Sequence, residues 1–242
     1  MIDSGWQGWA IFNGAVILML LLDLGVFNRK AQKVTVKAAL YWTAFWIILS
    51  MAFNGWIFDN FGNEAGLDFF TGYILEKSLS VDNLFVFLLI FNYFKVPARL
   101  QHRVLFLGIL GALVLRGIFI YLGATLVQQF HWVLYIFGAF LVFSGIKLFF
   151  LDEDEDQNPE NVIVRAFRKR LRVTEEFVEE KFFVVRDGVR YATPLFLVLI
   201  AVETSDVLFA VDSIPAIFGV TQDPFIVYTS NVMAILGLRS LY

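Results

Sequence analysis

The sequence contains no cysteine, only two histidines, five prolines, and few charges, at 17% of its 242 residues. The missing thiols exclude disulfides, thiolate metal sites and cysteine nucleophiles. The two histidines, His102 and His131, both fall near the ends of apolar runs, so an imidazole-based metal centre is not expected. A soluble domain carries about 25% charged residues, and the shortfall argues against one. The net charge of −3 says little by itself, because what matters is where the charges lie. Nucleic acid is not an expected partner, nor is an enzymatic activity.

What is abundant is hydrocarbon. The hydrophobic fraction is 59%, with 28 Phe, and mean hydropathy is +0.71. About seven apolar spans are expected, at 7–27, 37–57, 68–94, 101–126, 131–151, 193–219 and 224–242. Each approaches the ~20 residues that a ~30 Å hydrocarbon core requires. The expected fold class is therefore all-α: a polytopic helical membrane protein forming one transmembrane domain over 1–242. The first apolar run has no basic region before it and is followed by Arg29, Lys30 and Lys33. That pattern fits a first spanning helix and not a cleaved signal.

The connections alternate in charge. Arg29, Lys30, Lys33 and Lys37 follow span one, and Lys95, Arg99 and Arg103 follow span three. Arg165, Arg168, Lys169, Arg170, Arg172, Lys181, Arg186 and Arg190 follow span five. The opposite connections carry Asp3, Asp59, Glu64, Asp68 and Asp223 and no basic residue. The positive-inside bias then predicts an outside N-terminus and a cytoplasmic 152–192 loop. That loop opens on an acidic run, Asp152 to Asp156, which reads as a solvated segment. A basic amphipathic helix over 162–173 is suited to an anionic leaflet. A short hairpin turning at Asp187-Gly188 is expected after it.

A weak internal repeat is visible. Asp82-Asn83-Leu84-Phe85 resembles Asp206-Val207-Leu208-Phe209, and Leu115-Arg116 resembles Leu238-Arg239, at nearly equal intervals. A unit of three spans must invert between copies, and both aspartates then fall near the bilayer midplane. Inverted repeats with a site at their interface are a recurring transporter plan. Copy one has three spans, whereas copy two has two before Tyr242, so a further helix beyond that point is expected.

The residues that carry chemistry are acids placed inside spans: Glu76, Asp82, Glu203, Asp206 and Asp212. An Asp at a helix centre costs roughly 2.5–3.5 kcal/mol on the insertion scale, and such groups default to a functional hypothesis facing the bundle interior. Ser78, Ser80, Asn83, Thr204, Ser205, Ser213 and Asn231 add neutral oxygens. A hard divalent cation prefers this chemistry. Magnesium, manganese and calcium fit better than copper, and zinc and iron stay open. Asp212 lies nine residues beyond Glu203, ~900° of rotation, which turns it away from Glu203 on a straight helix. Pro215 predicts a kinked or interrupted helix that corrects this.

Blander readings stand beside these. Lys77 reads as a counter-ion to Glu76, and Arg116 and Arg239 read equally as structural ion-pair partners or as gating groups. Asp23 reads as a boundary residue. Gly108, Gly111, Gly138 and Gly145 read as ordinary close-packing residues.

The stretch Glu76-Lys77-Ser78-Leu79-Ser80-Val81-Asp82-Asn83 and the stretch from Val202 to Pro215 (Glu203-Thr204-Ser205-Asp206 through Asp212-Ser213-Ile214-Pro215) resemble the two hallmark motifs of the TerC family. The likeness runs from Asp23-Leu24-Gly25-Val26-Phe27 to Leu236-Gly237-Leu238-Arg239. It implies a bacterial inner-membrane metal-ion exporter of the wider LysE-like group, with manganese(II) as the transported ion and no permanently bound cofactor. Members are also named for tellurium resistance. Glu76, Asp82, Glu203, Asp206 and Asp212 inherit the metal pathway, with proton exchange at the same acids as an expected route to release. The expected partners are a divalent cation, the lipid bilayer, and either exported proteins or further copies of the chain. Two other readings remain: a LysE-like exporter of a small organic cation, and a non-transporting membrane scaffold that organises partners through 152–192.

Overall fold

The computed structural model describes residues 5–22, 36–150 and 162–236; within these, the side chains of 21, 22, 36, 81, 82, 148–150, 162 and 163 lie outside the description. The elements in chain order are α1 (Gly5–Leu22), α2 (Val36–Tyr93), α3 (Ala98–Gln129), α4 (Val133–Phe150), α5 (Val162–Arg170), β1 (Phe183–Arg186), β2 (Val189–Ala192), α6 (Pro194–Phe218) and α7 (Pro224–Leu236). Among the described residues the only sheet is the two-stranded β1–β2 hairpin. The fold is all-α.

Two of the expected spans, 37–57 and 68–94, are parts of the single long element α2. The acidic link between them is helical on both sides of one residue, Gly62, whose φ of 88° and ψ of 178° interrupt the helix. That backbone region is open essentially to glycine alone. A Cβ at Gly62 would meet nothing within 4 Å, so conformation and not space requires the glycine. At ~1.5 Å per residue each half of α2 is long enough to cross a ~30 Å core.

The second half of α2 ends by a local rule. Lys95 takes the left-handed conformation (φ 51°), and the Val96 N–H donates to the Phe91 carbonyl at 2.9 Å. Val96 is buried against Ile90 and Phe91, and Pro97 prevents the helix from resuming. α7 begins on Asp223, whose Oδ1 accepts from the N–H groups of Phe225 (3.0 Å) and Ile226 (3.2 Å), with Pro224 at the first helical position.

The helices pack reciprocally. α2 lies on α7 and α6, and α3 lies on α6, α7 and α4. In terms of the repeat, the first helix of each copy packs on the second of the other. α5 docks on α6 through Val164, which is fully buried. In the hairpin, Phe183 pairs with Ala192 and Arg186 with Val189, and Asp187 and Gly188 both take positive φ at the turn.

Burial is inverted relative to a soluble protein. Tyr41, Phe85, Tyr121, Tyr135 and Phe143 are exposed on the outside of the bundle, whereas Glu76, Arg116, Asp206 and Asn231 are buried inside it. Only an apolar surround favours that arrangement. By length and composition, Ala98–Gln129 and Pro194–Val220 are the two described helices that suffice to cross a membrane, and Val133–Lys147 and Pro224–Leu236 are shorter apolar helices.

Candidate functional site: a buried ion-pair network between α2, α3, α6 and α7

On α2, Glu76, Ser80 and Asn83 recur at helical spacing and share a face. All three are buried. On α6, Glu203, Asp206 and Ser213 follow the same logic, with Asp206 and Ser213 buried and Glu203 half-buried. α2 packs against α6.

Arg116 of α3 enters between the two stripes. It is the largest fully buried side chain in the described structure. Its guanidinium is hydrogen-bonded and ion-paired with Glu76 Oε1, donates to Asn231 Oδ1 at 2.9 Å, and stands 3.5 Å from Asp206 Oδ1. Asn231 of α7, fully buried, returns a hydrogen bond from Nδ2 to Glu76 Oε2 at 2.9 Å. Glu76, Arg116 and Asn231 therefore form a closed ring. A buried charge pair of this kind is tolerable only when its remaining donors and acceptors are also met, and Asn231 meets one on each partner.

Outside that ring, polar atoms are left over. Ser80 Oγ, Asn83 Oδ1, Glu203 Oε2, Asp206 Oδ2 and Ser213 Oγ are buried without a hydrogen-bond partner, as is Arg116 Nε. Leaving such a group unmet costs ~1–3 kcal/mol, and five oxygens in two facing stripes point to a missing donor or cation. The Glu203 carboxylate has a specific seat. A Cβ at Gly111 of α3 would overlap both of its oxygens. Gly111 is therefore the space for an acid, not an ordinary packing residue. Gly138 and Gly145, read the same way from sequence, face open space.

The other sequence candidates are placed as follows. Asp212 is exposed on α6. The helix is not interrupted at Pro215, since α6 runs unbroken to Phe218. Pro215 falls in the last turn, too late to redirect Asp212. Lys77 is not the counter-ion of Glu76. Its Nζ lies 3.4 Å from the Ala234 carbonyl near the end of α7, where a cation suits the helix dipole, and Arg116 takes the counter-ion role. The Asp82 side chain, Asp23 and Arg239 lie outside the described residues. Among the described residues, no three His, Asp or Glu side chains already converge as a preformed metal cluster.

Arg116 was legible as a partner of acids but not as the centre of the network. The signal was present: Leu100, Val104, Gly108, Ala112, Ile120 and Ala124 are buried at a four-residue interval along α3, and Arg116 occupies the one charged position in that stripe.

The family model described as integral membrane protein TerC family matches residues 61–242. The chain is 53% identical over 234 residues to the membrane protein STKORF319 of Myxococcus xanthus, covering 97% of this chain and 73% of that one. It is 52% identical over 246 residues to Alx of Shigella flexneri, whose name provisionally designates it a membrane-bound redox modulator, covering 98% and 76%. A membrane protein of Rickettsia bellii is 41% identical over 236 residues, covering 98% and 78%. No solved structure matches the chain.

Proposed function

The chain belongs to the TerC family of integral membrane proteins, and from that premise we propose that it exports a divalent metal ion, manganese(II) in first place, across a bacterial inner membrane. The observation that carries this reading is the surplus of buried oxygen over buried cation. Glu76, Asp206 and Glu203 bring three carboxylates, and Arg116 returns one positive charge. The remaining two negative charges, with hydroxyl and amide oxygens beside them, match a hard divalent ion. A small organic cation carrying one charge leaves a buried carboxylate uncompensated.

Transport proceeds by alternating access: the two reciprocally packed helix pairs rock about the shared site, opening it to one side and then the other. In this reading the N-terminus lies outside and the 152–192 segment, which carries eight of the basic residues, is cytoplasmic. The role is non-enzymatic. A redox role of the kind carried in the name of Alx has no thiol to use in these 242 residues; supply or removal of a metal is one route by which a transporter influences redox chemistry.

The test is manganese accumulation in cells carrying the full-length protein, its Asp206→Asn form, or a deletion of 152–192. Export predicts higher cellular manganese in Asp206→Asn than in wild type. Unchanged manganese in Asp206→Asn sinks the reading. A fall in organic-cation efflux in its place supports the organic-cation exporter, and loss only on deletion of 152–192 supports a scaffold.

A further inference from the structure

The acids of this site divide into two kinds. Glu76 is saturated: one oxygen is taken by Arg116 and the other by Asn231 Nδ2 at 2.9 Å. Arg116 is held on that side by a second bond, to Asn231 Oδ1 at 2.9 Å. Asp206 is not saturated. Its contact with Arg116 is the looser one, at 3.5 Å, and its Oδ2 is buried and unmet. Asp206 is only 5% exposed. Glu203, one helical turn before Asp206 on the same face, likewise has a buried, unmet Oε2.

We propose that Glu76, Arg116 and Asn231 form a neutral clamp that does not ligate the transported ion, and that the divalent cation lands on the α6 carboxylates Asp206 and Glu203. This inference rests on the cation-transport reading above and divides its acids into positioning and ligating residues. The clamp sums to zero charge and the α6 pair, once both acids give up their protons to the incoming ion, to two negative charges, so the ion neutralises the site without dismantling the ring. Arriving at Asp206, the cation replaces the guanidinium at its loose contact, and Glu76 and Asn231 retain Arg116 at their tight ones. Asn83 Oδ1 and the hydroxyls of Ser80 and Ser213, unmet at present, are the neutral oxygens available to complete the shell. Glu76 thus acts through Arg116: without it, the guanidinium falls on Asp206 and competes with the ion for as long as the protein is folded.

The test is manganese binding by calorimetry on the purified full-length protein in detergent, comparing two double variants, the first of which leaves the net charge unchanged while the second removes two negative charges. Glu76→Gln with Arg116→Gln removes the clamp's charges and keeps its polarity. Asp206→Asn with Glu203→Gln removes the receiving pair. Glu76→Gln alone, which frees the guanidinium to compete at Asp206, is expected to weaken binding at least tenfold, the added Arg116→Gln to restore affinity to within about threefold of wild type, and the pair variant to lose at least a hundredfold. Equal losses in both, or binding retained in the pair variant, overturns the inference. If the clamp variant does not fold, the charge-swapped form Glu76→Arg with Arg116→Glu gives the same discrimination: retained affinity supports a clamp and lost affinity makes Glu76 a ligand. Absence of manganese binding in the wild-type protein itself overturns the transport reading as well, which separates the two failures.

Discussion

The Nη2 of Arg116 stands 3.5 Å from Oδ1 of Asp206, while Oδ2 of the same carboxylate is buried with no partner. An ion pair this loose, beside a tight one to Glu76, leaves Asp206 receptive. In a low-dielectric interior that half-met state is costly, and a protein that keeps it retains a position for something else to bind.

Asn231 ties the ring shut, and its loss is expected to be felt as stability. Asn231→Leu leaves one Glu76 oxygen and one guanidinium donor unmet, at a cost of ~1–3 kcal/mol for each buried group. The thermal midpoint of the purified protein should fall by several degrees. A midpoint at or above wild type contradicts the ring.

Gly111→Ala places a methyl group where the Glu203 carboxylate now lies. The side chain must move, and manganese affinity should fall at least tenfold. Gly138→Ala, at a position with nothing within 4 Å, is the matched control and should leave affinity unchanged. Equal effects of the two substitutions contradict the seat.

At Gly62 the cost is conformational alone. Gly62→Ala forces a side chain into a backbone region that costs on the order of 1–3 kcal/mol, with no clash to relieve. A lower thermal midpoint with unchanged manganese affinity is expected. An unchanged midpoint would mean that α2 does not require this bend.

How much of this was legible beforehand depends on the kind of information each feature needs. The all-α membrane class follows from long apolar runs and scarce charge, which are properties of composition and local order. The acidic stripes on α2 and α6 follow from helical spacing. What was not legible is what depends on one residue's conformation or on a neighbour far along the chain. The segment around Asp59 and Glu64 reads as a loop because it is polar, yet only Gly62 leaves the helix. Pro215 reads as a break, yet α6 carries through it to Phe218 and ends within the next turn. Arg116 meets Asn231 across 115 residues, a pairing no local pattern encodes.

Asp212 and Asp206 are both acids of α6, but one is exposed and the other buried, so a bound ion should tell them apart. At manganese concentrations about a hundredfold above Kd, a single-site ligand stabilises a protein by ~2.7 kcal/mol. The wild type and Asp212→Asn should show that upward thermal shift, and Asp206→Asn should not. Loss of the shift in Asp212→Asn would place that residue in the ion's shell after all.

The most direct measurement is manganese flux in proteoliposomes containing the purified full-length protein, followed with a manganese-quenched dye trapped inside. The account predicts quenching in wild-type vesicles that outpaces protein-free vesicles and is abolished in vesicles carrying Asp206→Asn. Wild-type flux no faster than that of protein-free vesicles, or equal flux with Asp206→Asn, would contradict it.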